Sequence, residues 1–229
     1  MPQPILHGAF EVLGTALGVV VYTILRARSG DTVDSRARLS VILGAALGAA
    51  IGARLLWWIG EPGVPISGIL GGKTVVGGLL GGLIGVEIAK KLRGIEQRTG
   101  DLFALPMITA MAIGRIGCFL TGPIDHTAGL PSNLPWAIAM GDNVPRHPVA
   151  LYEIAFLLAL IPLLRIATHP GGKFQLFLAS YLAFRLGIDF LKPYPRPIFV
   201  GLSAIQWACV LGLVYYATVF ARVREVSPA

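Results

Sequence analysis

Residues 103–121 read FALPMITAMAIGRIGCFLT, nineteen residues carrying a single charge, Arg115. At a rise of about 1.5 Å per residue such a helix is roughly as long as a bilayer's hydrocarbon core is thick. A charge inside it is costly there and marks a site rather than a surface. Outward from this stretch the composition agrees: 55% hydrophobic residues, 14% charged and a mean hydropathy of +0.72 exclude an ordinary soluble domain. Apolar runs at 8–25, 39–60, 67–89, 103–121, 148–166, 173–191 and 198–221 predict seven transmembrane helices. The expected fold is an all-α integral membrane protein, a single transmembrane domain over 1–229 with an external loop or lid at 122–147. The first run has no basic start and carries Glu11, so it reads as a retained helix and not a cleavable signal. The third carries GILGGKTVVGGLLGGLIG at 68–85, a glycine density that either lets helices approach closely or breaks the helix at a cavity.

Loop charge sets the orientation, because lysine and arginine collect on the cytoplasmic side. Of the nineteen basic residues, twelve fall in the loops of one side, three (Arg146, Lys192 and Arg196) in those of the other, and four (Arg54, Lys73, Arg115 and Arg185) within the spans. This bias predicts an external N-terminus and a cytoplasmic C-terminus. It also explains the net charge of +7 without nucleic acid, since the surplus is spread over short loops. Counted along the helices, Arg54, Arg115 and Arg185 fall in the outward half of the bilayer, as do Lys73, Glu11, Glu153 and Asp189. One reading is snorkelling and mutual pairing, for Arg185 and Asp189 are four apart on one face. The other is a polar chamber whose arginine forks suit the phosphate of an anionic outer-leaflet lipid.

The run Gly114-Arg115-Ile116-Gly117-Cys118-Phe119, then Gly122, Leu134-Pro135-Trp136, and Arg146-His147-Pro148 followed by Leu151-Tyr152-Glu153, resembles the prolipoprotein diacylglyceryl transferases. Further matches are Gly52-Ala53-Arg54-Leu55, the glycine-rich Gly77-Gly78 to Gly85, and Tyr181 to Arg185 with Asp189, so that the resemblance covers roughly residues 50–212. It implies transfer of the diacylglyceryl group of phosphatidylglycerol to the lipobox cysteine of a prolipoprotein in the bacterial cytoplasmic (inner) membrane, with release of glycerol 1-phosphate and no cofactor. It carries Arg115, Arg185 and Tyr181 over as catalytic residues. Arg54, Lys73, Gly77, Gly78, Gly114, Gly117, Cys118, His147, Tyr152 and Asp189 are expected to contact the substrate. Arg115 and Arg185 are expected to share the lipid phosphate.

This chain departs from the family at several polar positions. Val76 stands where a histidine precedes the paired glycines, Cys118 replaces an asparagine, Pro123 a glutamate, and the first helix offers Glu11 in place of a tyrosine. It reads as a divergent member, and the identity of its base is open. Glu11, an isolated carboxyl in an apolar run, is the leading candidate, with an ion pair to Arg54 or Lys73 as its structural alternative. Glu153 and His147 are further candidates, His147 equally well capping the fifth helix. Cys118 reads as small packing more readily than as a nucleophile. Asp125, His126 and Asp142 in the external loop lack metal-ligand spacing, so no metal is expected. A family relative with another acceptor, and a lipid-binding or transport protein without this chemistry, are the alternative functions. Transport is disfavoured by charges confined to one side and by the lack of an internal repeat.

Overall fold

The computed structural model describes residues 3–30, 35–122, 128–141, 143–193 and 197–226. In them the chain runs α1 (Gln3–Ser29), α2 (Ser35–Gly60), a 3-10 helix (Ile66–Gly71), α3 (Val75–Arg93), α4 (Asp101–Thr121), α5 (Val149–Leu163), α6 (Gly172–Ile188) and α7 (Ala204–Val226). Short 3-10 turns, Leu164–Ile166 and Asp189–Leu191, extend α5 and α6. Two small antiparallel hairpins join helices: β1 (Ile138–Ala139) with β2 (Pro145–Arg146), and β3 (Pro197–Phe199) with β4 (Leu202–Ser203).

The protein is an all-α membrane protein. Five stretches, Ile5–Ser29, Ala37–Gly60, Asp101–Thr121, Val149–Ile166 and Gly172–Leu191, are long and apolar enough to cross a bilayer. The apolar part of α7, Ala204–Val219, is shorter, and α3 ends in Lys90, Lys91 and Arg93. Outer faces stay apolar and uncovered, with Val12 71%, Leu47 64% and Ile51 65% exposed. Water would not tolerate such a surface, whereas lipid tails supply the missing apolar surroundings.

The described helices group into two compact units. The first comprises Met1–Asp31, Thr99–Phe177 and Gly187–Tyr194, the second Thr32–Arg98, Leu178–Leu186 and Pro195–Ala229. In the second unit α2 and α3 pack through glycines. A Cβ built on Gly77, Gly81 or Gly85 would collide with the carbonyl oxygen of Gly52, Gly48 or Gly44, and Cβ atoms on Gly48 and Gly52 would collide with those of Gly81 and Gly77. Glycine weakens a helix in water, but between membrane helices its missing side chain permits backbone contact. The glycine-rich segment does both things its composition allowed: it breaks at residues 72–74 and packs closely from Gly77 onward. Thr74 closes the break. Its N–H donates to Ala53 O at 3.0 Å, and its Oγ1 caps α3 by accepting from Gly77 N at 3.1 Å. Gly94, at φ 63°, ends α3 in the left-handed conformation that glycine adopts without a Cβ penalty.

In the first unit α1 lies along α4, where a Cβ on Gly14 would come within 2.6 Å of Ala110 O and Tyr22 stacks on Phe103 at 4.9 Å. Ala104 and Ile108 of α4, Leu157 and Leu160 of α5 and Phe177 of α6 form its core. Asp101 ties α4 to the start of α6, its carboxylate accepting from Gly171 N at 2.7 Å and Lys173 N at 2.9 Å. Those N–H groups lack intrahelical partners, and an anion there also meets the positive end of the helix dipole.

Candidate active site

Arg115 projects from α4 onto α5, where its Nε lies 2.7 Å from Glu153 Oε1, the two side chains being 11% and 1% exposed. Its Nη1 points at Cys118 Sγ, 3.5 Å away and one turn further along. The sequence offered Glu153 as a candidate base. In the fold it is buried against Arg115, and the opposite charges offset part of each other's desolvation cost.

The Gly114-Arg115-Ile116-Gly117-Cys118 run serves this geometry on both sides. A Cβ on Gly114 would meet nothing within 4 Å, so α4 is open beside Arg115. A Cβ on Gly117 would lie 2.7 Å from Phe10 Cβ and 3.5 Å from His7 O, so its absence lets α1 come close. There Glu11, one turn after His7, has its Oε1 3.1 Å from His7 Nε2, with the side chains 38% and 21% exposed. His7 was not singled out in the sequence, although its spacing of four from Glu11 was legible.

The segment before α5 is fastened by backbone bonds, Leu130 N to Leu191 O at 2.8 Å and His147 N to Leu130 O at 3.0 Å. Tyr152 Oη accepts from Trp136 Nε1 at 2.7 Å and stands 3.3 Å from His147 Nδ1. The His147 side chain therefore goes to Tyr152, and no side chain caps the start of α5. Asp189, 1% exposed, has Lys192 Nζ at 3.5 Å. Asp125, His126 and Asp142 lie outside the described residues.

The second unit holds the remaining predicted residues. Tyr181 is fully buried one turn before Arg185, which is 5% exposed, on one face of α6. The helix end beside Arg185 is fixed by α7 through a capping box that the sequence reading missed, although Ser203-x-x-Gln206 before an apolar run is its signature. Ser203 N donates to Gln206 Oε1 at 2.9 Å, Gln206 N donates to Ser203 Oγ at 3.2 Å, and Gln206 Nε2 donates to Leu186 O at 3.2 Å. Arg54 donates from Nη1 to Ala50 O at 3.2 Å on its own helix. Lys73 was expected inside a span, but it sits exposed in the break before α3. Gly77 lies in the α2–α3 seam, and Gly78 faces Ala53 Cβ with room for a methyl, at 3.7 Å. Val76 is 1% exposed and apolar.

Comparison with known proteins bears on this geometry. The family model described as prolipoprotein diacylglyceryl transferase matches residues 5–222. Among curated relatives, the phosphatidylglycerol–prolipoprotein diacylglyceryl transferase of Cupriavidus necator is 32% identical over 177 residues, 73% of this chain and 63% of the relative. The enzyme of the same name from Methylibium petroleiphilum is 32% identical over 75% of this chain and 69% of its own length. That of Bordetella parapertussis is 28% identical over 89% and 85%. The chain thus spans less than two thirds of the length of the three relatives from Cupriavidus species, 63%, 64% and 62%.

Proposed function

This chain belongs to the prolipoprotein diacylglyceryl transferase family, and from that premise we propose that it transfers the diacylglyceryl group of phosphatidylglycerol to the lipobox cysteine thiol of a prolipoprotein. A C–S bond forms while the bond between the glyceryl carbon and the phosphate oxygen breaks. The phosphate leaves with the electron pair as glycerol 1-phosphate, and the thiol proton passes to a base. The site must therefore supply a proton acceptor and a cation for the departing phosphate.

The observation that carries this reading is the buried Arg115–Glu153 pair. A guanidinium has five N–H donors in one plane, and Glu153 takes its Nε edge. The Nη groups are then presented in a fixed direction to a phosphate, in surroundings where their charge is poorly screened. Glu153 acts through Arg115 as a positioning residue, because its carboxylate lies against the guanidinium Nε at 2.7 Å. The proton acceptor is assigned instead to Glu11, on the helix that Gly117 admits. Cys118 helps to orient Arg115. By their motif Arg185 and Tyr181 are assigned as further catalytic residues, and Arg54 and Lys73 as substrate-binding ones.

All seven helices cross the bacterial cytoplasmic membrane in this proposal, with the N-terminus outside, as the twelve-to-three loop charge supports. Residues 122–147 then cover the lipid from outside, with Trp136 at headgroup level. A reporter fused after Ala229 should read cytoplasm and one near Asp125 the exterior; the reverse pattern removes the outer-leaflet substrate. The activity is tested by mixing purified protein, phosphatidylglycerol vesicles and a lipobox peptide, then detecting lipidated peptide and glycerol phosphate by mass. Lipid consumption without peptide modification would mean a different acceptor, and no change in either would sink the proposal.

A further inference from the structure

Arg185 stands in the last turn of α6, and from Asp189 the chain winds on as a 3-10 turn. Such a junction is soft, because the last four carbonyls of an α-helix have no partner four residues on within it and can turn to tighter i+3 bonds. Each residue rewound from α to 3-10 adds about 20° of rotation, about 120° in place of about 100°. Leu186 O, next to Arg185, belongs to that turn. It accepts from Gln206 Nε2 of α7 at 3.2 Å, and the Gln206 carboxamide is itself oriented by Ser203 N, which donates to its Oε1 at 2.9 Å. Gln206 is 2% exposed. α7 meets α6 again one turn earlier along α6, where a Cβ on Gly212 would lie 2.6 Å from Leu182 Cδ1. All the residues bonded here lie in the second unit.

We infer that Gln206 is a positioning residue for Arg185: its amide N–H, fixed on Leu186 O, keeps the turn that carries Arg185 α-helical and in register with Tyr181. This rests on the assignment of Arg185 as catalytic made above. Tyr181 and Arg185 share a face at the α-helical spacing of four, about 400° of winding, whereas a 3-10 winding would put them about 480° apart. A rotation of that size moves the guanidinium off the direction its backbone set. Misplacement of about 1 Å is enough to cost a catalyst much of its rate. The chemistry of the side chain points the same way. A glutamate would complete the capping box equally well, but its ionised carboxylate has no hydrogen to give Leu186 O. An amide offers an acceptor to Ser203 N and a donor to Leu186 O together. Glutamine at 206 therefore serves the end of α6 as well as the start of α7.

The test uses the full-length protein in phosphatidylglycerol vesicles with a lipobox peptide, measuring kcat, KM and melting temperature. Gln206→Met, of similar length and without either bond, should lower kcat by about tenfold, the loss of one oriented hydrogen bond, while KM for the peptide stays within about twofold. Gln206→Glu, assayed at alkaline pH where its carboxylate is ionised, keeps the acceptor for Ser203 N and loses the donor alone. Its kcat should fall by a similar factor. Ser203→Ala removes the hydroxyl half of the cap and leaves both bonds of the Gln206 carboxamide, so melting temperature should drop while kcat stays within about twofold. Native kcat in either Gln206 variant overturns the inference, and a Ser203→Ala variant that loses as much turnover reduces Gln206 to a helix cap. Arg185→Gln, measured in parallel, separates the two levels. If it keeps full turnover, the assignment of Arg185 itself fails. If it is inactive while the Gln206 variants are unimpaired, only the role of Gln206 fails.

Discussion

Where α2 meets α3, three glycines on each helix bring backbone onto backbone; where α4 meets α5, a guanidinium and a carboxylate meet as a desolvated pair. The first contact is specified by the absence of side chains and tolerates no added volume. The second is specified by charge and tolerates no unbalanced loss of it. In a bilayer, where burying apolar surface gives little drive for helices to associate, these are two of the means available. Only the second leaves charged groups at the contact.

The comparison breaks most severely at Gly81→Leu, since the obstacle is the Gly48 carbonyl and not a movable side chain. The cost should exceed the roughly 1–3 kcal/mol of ordinary overpacking, visible as lost folded protein in detergent. Glu153→Gln comes next. It removes the carboxylate charge 2.7 Å from Arg115 Nε and should cost up to about 3–5 kcal/mol in stability, with turnover lost as well. Replacing both partners, Arg115→Leu with Glu153→Leu, should restore most of that stability while leaving no turnover, which separates folding from chemistry; a double variant as unstable as Glu153→Gln would refute the reading. Tyr152→Phe removes the shared oxygen of Trp136 and His147 and should cost about 1 kcal/mol per hydrogen bond, measured as a modest fall in melting temperature. Cys118→Ala should leave turnover within a few-fold; complete loss with a trapped lipid adduct on the native protein would make Cys118 a nucleophile. The smallest effect belongs to Gly78→Ala, beside the seam yet 3.7 Å from the nearest atom, Ala53 Cβ, where melting temperature should scarcely move.

Much of this was legible in the residues. Apolar run lengths located the helices, and the glycine-dense third segment announced both a break and a close contact. Arg115 and Arg185 stood out because a charge in an apolar run requires a reason. Lys73 was misplaced into a helix because hydropathy averages over a window, whereas the helix start is set by a local cap, the hydroxyl of Thr74. Pairing along one helix, as in His7 with Glu11 or Ser203 with Gln206, was readable from spacing and went unread.

By itself, then, the sequence determined that the chain belongs in a membrane and where its helices run, because those follow from composition and period. Only the tertiary structure decided who partners whom. Arg115 and Glu153 are thirty-eight positions apart, and nothing local links them. Gln206 reaches Leu186, and Asp101 caps the start of α6, only once α7 and α4 are in place. Seen along one helix, a carboxyl can equally be a base, a cap or a counter-ion. The choice is made by whatever the neighbouring helix brings within about 3 Å, the reach of a hydrogen bond.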